Sequence, residues 1–207
     1  MNAASKLPNY LKVLFFTLIA VFIWSGINPK DRFTWWLEIF PVIIALAIII
    51  PTFKRFPLTP LLYCLLWGHC VILLVGGHYT YAEVPLFNYI RDIFEQSRNN
   101  YDKLGHLAQG FVPAILGREL LLRTSPLKPG KWLNAIIILS VLGVSAGYEL
   151  LEWQVSVHTG SAGNDFLGTQ GDIWDTQKDM ASALIGSCLA LLTLSKLHDR
   201  QLARLAA

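Results

Sequence analysis

The sequence predicts an all-α protein: a polytopic membrane helical bundle of about six transmembrane helices, which fills residues 1–207 as a single membrane domain. Two observations lead to this prediction. Of the 207 residues, 54% are hydrophobic and only 15% are charged, whereas soluble domains carry about 25% charged residues. The apolar residues are also gathered into long runs, and about 20 apolar residues suffice for a helix to cross the hydrocarbon core of a bilayer.

Six runs have the length of a membrane-spanning helix. In chain order they cover residues 10–27, 35–53, 58–76, 104–122, 132–157 and 179–197. The first run starts near Lys6 and Lys12 but has no small-residue cleavage site, which favours a retained helix over a signal peptide. The fourth run is less apolar than the others, and the fifth is long enough to tilt or to emerge from the bilayer.

Two connections between these runs are longer than a turn. Within the connection 77–103, the stretch 86–94 predicts a short helix that lies in the membrane interface. The connection 158–178 is rich in Gly, Asp and Thr, and its glycines permit tight turns with positive φ. We therefore expect this second connection to fold back over the outer mouth of the bundle.

Lys and Arg are divided unequally between the two sides of the predicted bundle. If the N-terminus is inside, the inner segments hold Lys6, Lys12, Lys54, Arg55, Arg118, Arg123, Lys128, Lys131, Lys196, Arg200 and Arg204. The outer segments hold Lys30, Arg32, Arg91, Arg98, Lys103 and Lys178. Because cytoplasmic loops carry an excess of Lys and Arg, this distribution predicts that both termini are cytoplasmic.

Composition also excludes several classes of protein. A formal net charge of +3, with no basic patch interleaved with aromatic residues, argues against nucleic-acid binding. Cys64, Cys70 and Cys188 lie inside apolar runs and lack zinc-ligand spacing, so we interpret them as small buried hydrophobic residues. The expected partners are membrane lipids, and the sequence predicts no particular protein partner.

Polar residues from four segments are predicted at one level near the outer face. They are His78, Asp102, His106, Gln109, Glu149, Glu152, Asp172, Asp175 and Asp179. Within each segment, spacings of three, four or seven residues put the acids and the histidine on a shared helix face. An ionisable group inside a membrane is costly unless it is paired or hydrated, which makes these residues candidates for function.

Each of these residues also has a purely structural interpretation. Asp102 is as well explained as the N-cap of the fourth long helix, and Glu152 as a carboxylate in headgroup water. Arg118, Glu119 and Arg123 resemble a snorkelling cluster at the inner edge, and His198 is expected on the surface of the C-terminal tail. His106 and Glu149 are the hardest to explain structurally, because both lie among apolar residues inside a predicted span.

Four strings carry a family resemblance: GGHYTYAE (76–83), NNYDKLGHLAQGFVPA (99–114), YELLEW (148–153) and GTQGDIWDTQKDM (168–180). Together they resemble the bacterial inner-membrane family of unknown function typified by YjdF. More distantly, Asp102, Lys103, His106, Glu149 and the later Asp stripe are similar to VanZ-like membrane proteins linked to glycopeptide tolerance. The resemblance implies a bacterial cytoplasmic (inner) membrane and a compact helical bundle, and it supplies no reaction.

Three hypotheses about function follow from these residues. In the first, the protein is a metal- or carboxylate-dependent hydrolase or transferase that acts on a lipid headgroup or an envelope intermediate. The expected metal ligands are His106, Glu149, Asp172, Asp175 and Asp179, and the expected catalytic carboxylates are Glu149, Glu152 and Asp102. The ligand types suit Mg²⁺, Mn²⁺ or Zn²⁺ equally, so the identity of the divalent metal is open.

The second hypothesis is a small transporter that uses the same acids as a proton or cation site. The acids are predicted on one side of the membrane, without a relay to the other side, which counts against transport. The third hypothesis is a structural or accessory protein whose polar network holds the helices together in lipid. The sequence leaves these alternatives open.

Overall fold

The protein is described here by a computed structural model, which covers residues 8–160, 166 and 168–206. Within these residues all regular structure is helical, which confirms the predicted all-α class. The α-helices are α1 (Asn9–Gly26), α2 (Arg32–Thr52), α3 (Pro60–Tyr79), α4 (Pro85–Ile93), α5 (Tyr101–Thr124), α6 (Lys131–Thr159) and α7 (Asp175–Ala206). A short 3₁₀ helix, Tyr81–Glu83, precedes α4.

Five of the described helices, α1, α2, α3, α6 and α7, are long and apolar enough to cross a membrane. The helix α5 has the necessary length, since its 24 residues extend about 36 Å at about 1.5 Å per residue. It is too polar to meet the same criterion. A polar helix can occupy this position because α5 packs against α3, α6 and α7, which enclose many of its polar side chains.

The helices extend beyond the apolar runs at several ends. The last predicted span covered 179–197, whereas α7 starts at Asp175 and continues to Ala206. Hydropathy detects the part of a helix that contacts hydrocarbon, and polar residues such as Lys178 and Arg200 continue the helix outside that part. The predicted short helix at 86–94 corresponds to α4, which exposes Leu86, Tyr89 and Ile93.

Three connections meet at one end of the bundle, which we call the site end. The backbone N–H of Lys30 donates to the carbonyl oxygen of His78 at 2.9 Å, which joins the α1–α2 connection to the end of α3. The guanidinium of Arg98, before α5, donates to the carbonyl oxygen of Thr169, before α7. The three connections lead from α1 to α2, from α3 to α5 and from α6 to α7. The long helices therefore alternate in direction along the chain.

The other two connections meet at the opposite end, around a buried polar network. Glu119 on α5 is completely buried and accepts hydrogen bonds from the backbone N–H and the hydroxyl of Thr59. His198 on α7 is also completely buried, and its Nε2 lies 3.0 Å from Glu119. The expectation that His198 lies on the tail surface is therefore wrong, and the Glu119 cluster is a link between three helices rather than a snorkelling cluster.

Helices α5 and α7 are in backbone contact. A methyl group added to Gly110 would collide with the carbonyl oxygen of Ala183, and one added to Gly186 would collide with that of Leu107. Small residues permit such close approach of helices in lipid. The contact matters for function because it places Asp179, one turn after the start of α7, beside Asp102 and His106 on α5.

Candidate functional site

His106 is the centre of the polar cluster at the site end. It is 5% exposed, and its Nδ1 lies 3.0 Å from Oε1 of Gln109, one turn further along α5. An amide oxygen accepts hydrogen bonds, so this contact places a proton on Nδ1 of His106. In the neutral imidazole, the lone pair is then on Nε2. Histidines that bind a metal through one ring nitrogen are commonly oriented by such a hydrogen bond from the other ring nitrogen.

Carboxylates from three helices face Nε2 of His106. The distances from Nε2 are 3.4 Å to Oδ1 of Asp102 on α5, 3.5 Å to Oε1 of Glu149 on α6 and 4.0 Å to Oδ1 of Asp179 on α7. They exceed the usual N–H···O range of about 2.7–3.2 Å. Two ligand atoms bound about 2.1 Å from one tetrahedral ion would stand about 3.4 Å apart. The spacing therefore suits ligands of a shared cation.

Asp102, His106 and Asp179 form a compact set of possible ligands, since their ligand atoms all lie within 4.8 Å of one another. Glu149 lies beside this set, with its Oε1 3.5 Å from Nε2 of His106. It is 6% exposed, and its Oε1 has no hydrogen-bond partner among the described residues. A buried, unsatisfied polar atom costs about 1–3 kcal/mol, and a charged one costs more. The arrangement offers one imidazole nitrogen and three carboxylate oxygens to a divalent ion.

Two cationic side chains border this set. Arg98 forms ion pairs with Asp175 and, at 3.2 Å, with Asp102. Lys103 lies 2.5 Å from Asp175 and 2.7 Å from Asp179. We predicted Asp175 as a metal ligand, but its carboxylate forms ion pairs with both Arg98 and Lys103. We predicted Asp102 as a catalytic residue, and the structure places it among the possible metal ligands. The ion pairs also tie the start of α7 to the start of α5.

Asp172, another predicted ligand, lies at the rim of the site. Its carboxylate is 2.6 Å from Nζ of Lys178 and 3.7 Å from Arg98. The hydrogen bond from Lys178, followed by that from the backbone N–H of Trp174, lowers the pKa of Asp172 below its ordinary value. The structure thus separates Asp172 and Asp175 from Glu149 and Asp179, which lie within 4.0 Å of Nε2 of His106. Asp179 also pairs with Lys103.

The structure also decides between the alternative interpretations of Asp102 and Glu152. Helix α5 begins after Asn100, so Asp102 lies inside its first turn and is not its N-cap. Glu152 is 7% exposed and lines a cavity between the helices, so it is not in headgroup water. His78 lies elsewhere, since its Nδ1 donates to the carbonyl oxygen of Ser25 on α1.

A cavity of about 210 Å³ extends from His106 and Asp102 between α2, α3, α5 and α6. Its polar lining also includes Glu38, His69, Gln109, Tyr81, Tyr148 and Glu152. The sequence analysis did not single out Glu38, which is 6% exposed. A signal was present, because Glu38 is an isolated carboxylate within a predicted span, and such groups are functional candidates.

Tyr81 reaches the cavity because of an unusual local backbone. The preceding residue, Thr80, has φ +54°, a left-handed conformation that is unfavourable for a β-branched residue. Gly76 and Gly105 flank the Tyr81 ring so closely that a methyl group on either would overlap it. Burial and then the negative charge of Glu38 raise the pKa of Tyr81 well above its ordinary value. Its hydroxyl is therefore a neutral hydrogen-bond donor.

Part of the connection between α6 and α7 covers the start of α5. Gln170 exchanges two hydrogen bonds with the backbone of Asn99, at 2.9 and 3.0 Å, and Arg98 donates to the carbonyl oxygen of Gly168 at 3.2 Å. Phe166 contributes to the cavity wall. The expectation that 158–178 folds over the bundle agrees with the position of residues 168–174. Residues 161–165 and 167 lie outside the described residues.

Comparison with known proteins places the chain among membrane proteins. Residues 10–200 match the family described as "Predicted membrane protein (DUF2238)". The chain is 45% identical over 197 residues to the inner membrane protein YjdF of Escherichia coli (strain K12), covering 95% of this chain and 94% of the relative. This confirms the resemblance to the YjdF-type family, while the similarity to VanZ-like proteins stays a prediction. No solved structure matches the chain.

Proposed function

The chain belongs to the DUF2238 family of predicted membrane proteins, and we propose that it is a metal-dependent enzyme whose site is reached by membrane components. The proposed reaction is hydrolysis or transfer at a phosphate ester of a lipid headgroup or an envelope intermediate. The proposed ligands are His106, Asp102, Asp179 and Glu149. Compared with the ligands predicted from the sequence, this set omits Asp172 and Asp175, because neither carboxylate lies within 4.0 Å of His106.

The observation that carries the proposal is the environment of Nε2 of His106. Nε2 of His106 faces three carboxylates at 3.4–4.0 Å, and Glu149 has a buried oxygen without a hydrogen-bond partner among the described residues. A purely structural network would be expected to satisfy each buried acid, as the network around Glu119 does at the opposite end. The contrast between the two clusters on one helix favours a binding role at the site end.

A divalent ion held by these ligands would lower the pKa of a bound water and polarise a phosphoryl oxygen. In hydrolysis, the water oxygen bonds to phosphorus while the ester P–O bond breaks. One proton of the water passes to a carboxylate of the cluster around His106, and that carboxylate returns it to the leaving oxygen. In transfer, an acceptor hydroxyl replaces the water.

The proposed location is the bacterial inner membrane, as for the relative from Escherichia coli. We place the site end in the periplasm and both termini in the cytoplasm, with α5 as a sixth crossing. The unequal distribution of Lys and Arg supports this orientation. Substrates would then reach the site from the outer leaflet of the inner membrane.

A transport function is less well supported by the structure. The polar clusters at the two ends of α5 are separated by buried apolar residues, among them Val112, Ala114 and Ile115. Ala114 and Ile115 belong to a packed apolar cluster with Leu62 and Leu133. A proton or cation pathway would need a continuous series of polar groups or water through this region, whereas, among the described residues, the buried polar side chains there include only isolated groups such as Ser145 and Ser187.

The proposal is tested by metal analysis and by an activity assay. Purified protein should retain close to one equivalent of Mg²⁺, Mn²⁺ or Zn²⁺ by mass spectrometry, and His106→Ala and Glu149→Gln should lose it. His158→Ala and Glu95→Gln are matched controls, because both side chains are exposed. In proteoliposomes made from total bacterial lipids, divalent ions should stimulate release of phosphate or phosphorylated headgroups by wild type and not by His106→Ala. Equal metal content in wild type and His106→Ala would refute the proposed site.

A further inference from the structure

The cavity beside His106 contains two carboxylates that no cation in the described structure neutralises. Glu38 on α2 is 6% exposed and Glu152 on α6 is 7% exposed, and both line the cavity. Among the described residues, no Lys, Arg or His nitrogen lies within 4.0 Å of either carboxylate. Asp102, Asp175 and Asp179, by contrast, all lie close to Arg98 or Lys103.

Two tyrosines lie in the same cavity, and they also suit a cation. Tyr81 and Tyr148 both contribute to the lining, and the neutral phenols add oxygen atoms and aromatic rings. An ammonium group is attracted to carboxylates, and a tyrosine ring face attracts it by about 0.5–2 kcal/mol, the larger values applying where water is excluded. Buried acids together with aromatic rings form a site for an organic cation more naturally than for an anion.

We propose that this part of the cavity, formed by Glu38, Glu152, Tyr81 and Tyr148, binds the ammonium group of the substrate. His106 and Asp102 line the same cavity, so one small molecule can contact both regions. The substrate class is therefore an aminoalkyl phosphate, with its phosphate toward His106 and its ammonium group toward the two glutamates. This assignment of the substrate rests on the proposed function, whereas binding of an ammonium group does not require the metal.

The size of the cavity agrees with this class of ligand. Its volume is about 210 Å³, and a water molecule occupies about 30 Å³ in the liquid, so the space corresponds to about seven water-sized groups. A phosphoethanolamine group, whether free or the headgroup of a lipid, has a similar number of non-hydrogen atoms.

The test separates the ammonium site from the metal site by measuring binding in the presence of a chelator. Ethanolamine should bind to purified wild-type protein, as measured by isothermal titration calorimetry, whereas ethylene glycol of similar size should not. Glu38→Gln and Glu152→Gln should each raise the Kd for ethanolamine about tenfold or more. Glu83→Gln and Glu95→Gln are matched controls, because both glutamates are exposed.

Phosphoethanolamine then tests the two regions together. With a divalent ion present, wild type should bind it more tightly than ethanolamine, and His106→Ala should remove that advantage. Nanodiscs containing phosphatidylethanolamine should compete with ethanolamine if the source is a lipid headgroup, and those containing phosphatidylglycerol should not. If neither lipid competes while free phosphoethanolamine binds, the ligand is a soluble aminoalkyl phosphate and the ammonium site still stands.

Two outcomes would overturn the ammonium site: no binding of ethanolamine by wild type, or a Kd that is unchanged in both glutamine variants. Either result would mean that protons rather than an organic cation neutralise Glu38 and Glu152. If a glutamine variant does not fold, the discrimination between ethanolamine and ethylene glycol by wild type still decides the question. Failure of metal binding with retained ethanolamine binding would reject the proposed enzyme and leave the ammonium site in place.

Discussion

Nε2 of His106 on α5 lies 3.5 Å from Oε1 of Glu149 on α6, and the two side chains are 5% and 6% exposed. The distance is too long for a good hydrogen bond. Oε1 of Glu149 is buried and has no hydrogen-bond partner among the described residues. A cation bound between the two side chains would give a partner to both atoms, which leads to the first prediction.

The first prediction is that His106→Ala and Glu149→Gln are strongly non-additive. If both residues bind one ion, the first substitution already abolishes the site, so the double variant should melt close to either single variant. The measurement is thermal unfolding in detergent, with and without added divalent ions. Wild type should show a stabilisation that a chelator removes, and both variants should lack it. Additive losses without any dependence on ions would support a structural network instead.

The second prediction concerns the contact between α5 and α7. Gly110→Ala and Gly186→Ala should each reduce stability by at least about 1–3 kcal/mol, because the added methyl groups meet backbone atoms that cannot rotate away. Both should also weaken metal binding by displacing Asp179. The measurements are the melting temperature in detergent and the metal content.

Gly143→Ala and Gly147→Ala on α6 are the controls for this contact, since an added methyl would meet no atom within 4 Å at either position. They should be neutral or slightly stabilising, because alanine is favoured over glycine in a helix by about 0.5–1 kcal/mol. Wild-type melting temperatures for Gly110→Ala and Gly186→Ala would show that the two helices are not held this closely.

The third prediction is a pH dependence at the rim of the site. Hydrogen bonding from Lys178 lowers the pKa of Asp172 in the folded protein, so the charged form stabilises the cover formed by residues 168–174. This contribution is fully present above the ordinary Asp pKa of about 3.9 and is lost as the pH falls through the lower folded value. The backbone N–H of Trp174 donates to Asp172, so the fluorescence of Trp174 should report an acid transition.

Asp172→Asn should remove this acid transition, whereas Asp92→Asn should retain it, because Asp92 pairs with Arg91 on the exposed helix α4. A transition of the same amplitude and midpoint in Asp172→Asn would mean that another group controls the cover. Single-tryptophan variants that keep Trp174 make the assignment of the signal direct.

The fourth prediction is the topology. Reporter fusions after Ser125 and after Arg204 should report the cytoplasm, and fusions after Asn99 and after Gly160 should report the periplasm. The physical reason is that α5, although polar, packs against α3, α6 and α7, which should shield it from lipid and let it cross the membrane with them. A periplasmic signal after Arg204 would mean an odd number of crossings and would place the site end on another face.

The sequence by itself determined the class of this protein and the identity of most of its polar residues. Long apolar runs specify membrane helices because the bilayer has one thickness and satisfies no backbone hydrogen bonds. Helical spacing was enough to put Asp102 and His106 on one face. The isolated positions of His106 and Glu149 among apolar residues were enough to single them out, since such residues are costly in a membrane.

Only the tertiary structure decided which acids have partners. Asp172, Asp175 and Asp179 share a stripe in the sequence, yet Asp172 and Asp175 meet cations while Asp179 also faces His106. Arg98 and Glu38 come from separate segments, and no local pattern reveals that they reach the same end of the bundle. Pairing depends on distances between helices, which here follow from the contact of Gly110 and Gly186 with neighbouring backbone, and these distances are set by packing rather than by spacing along the chain.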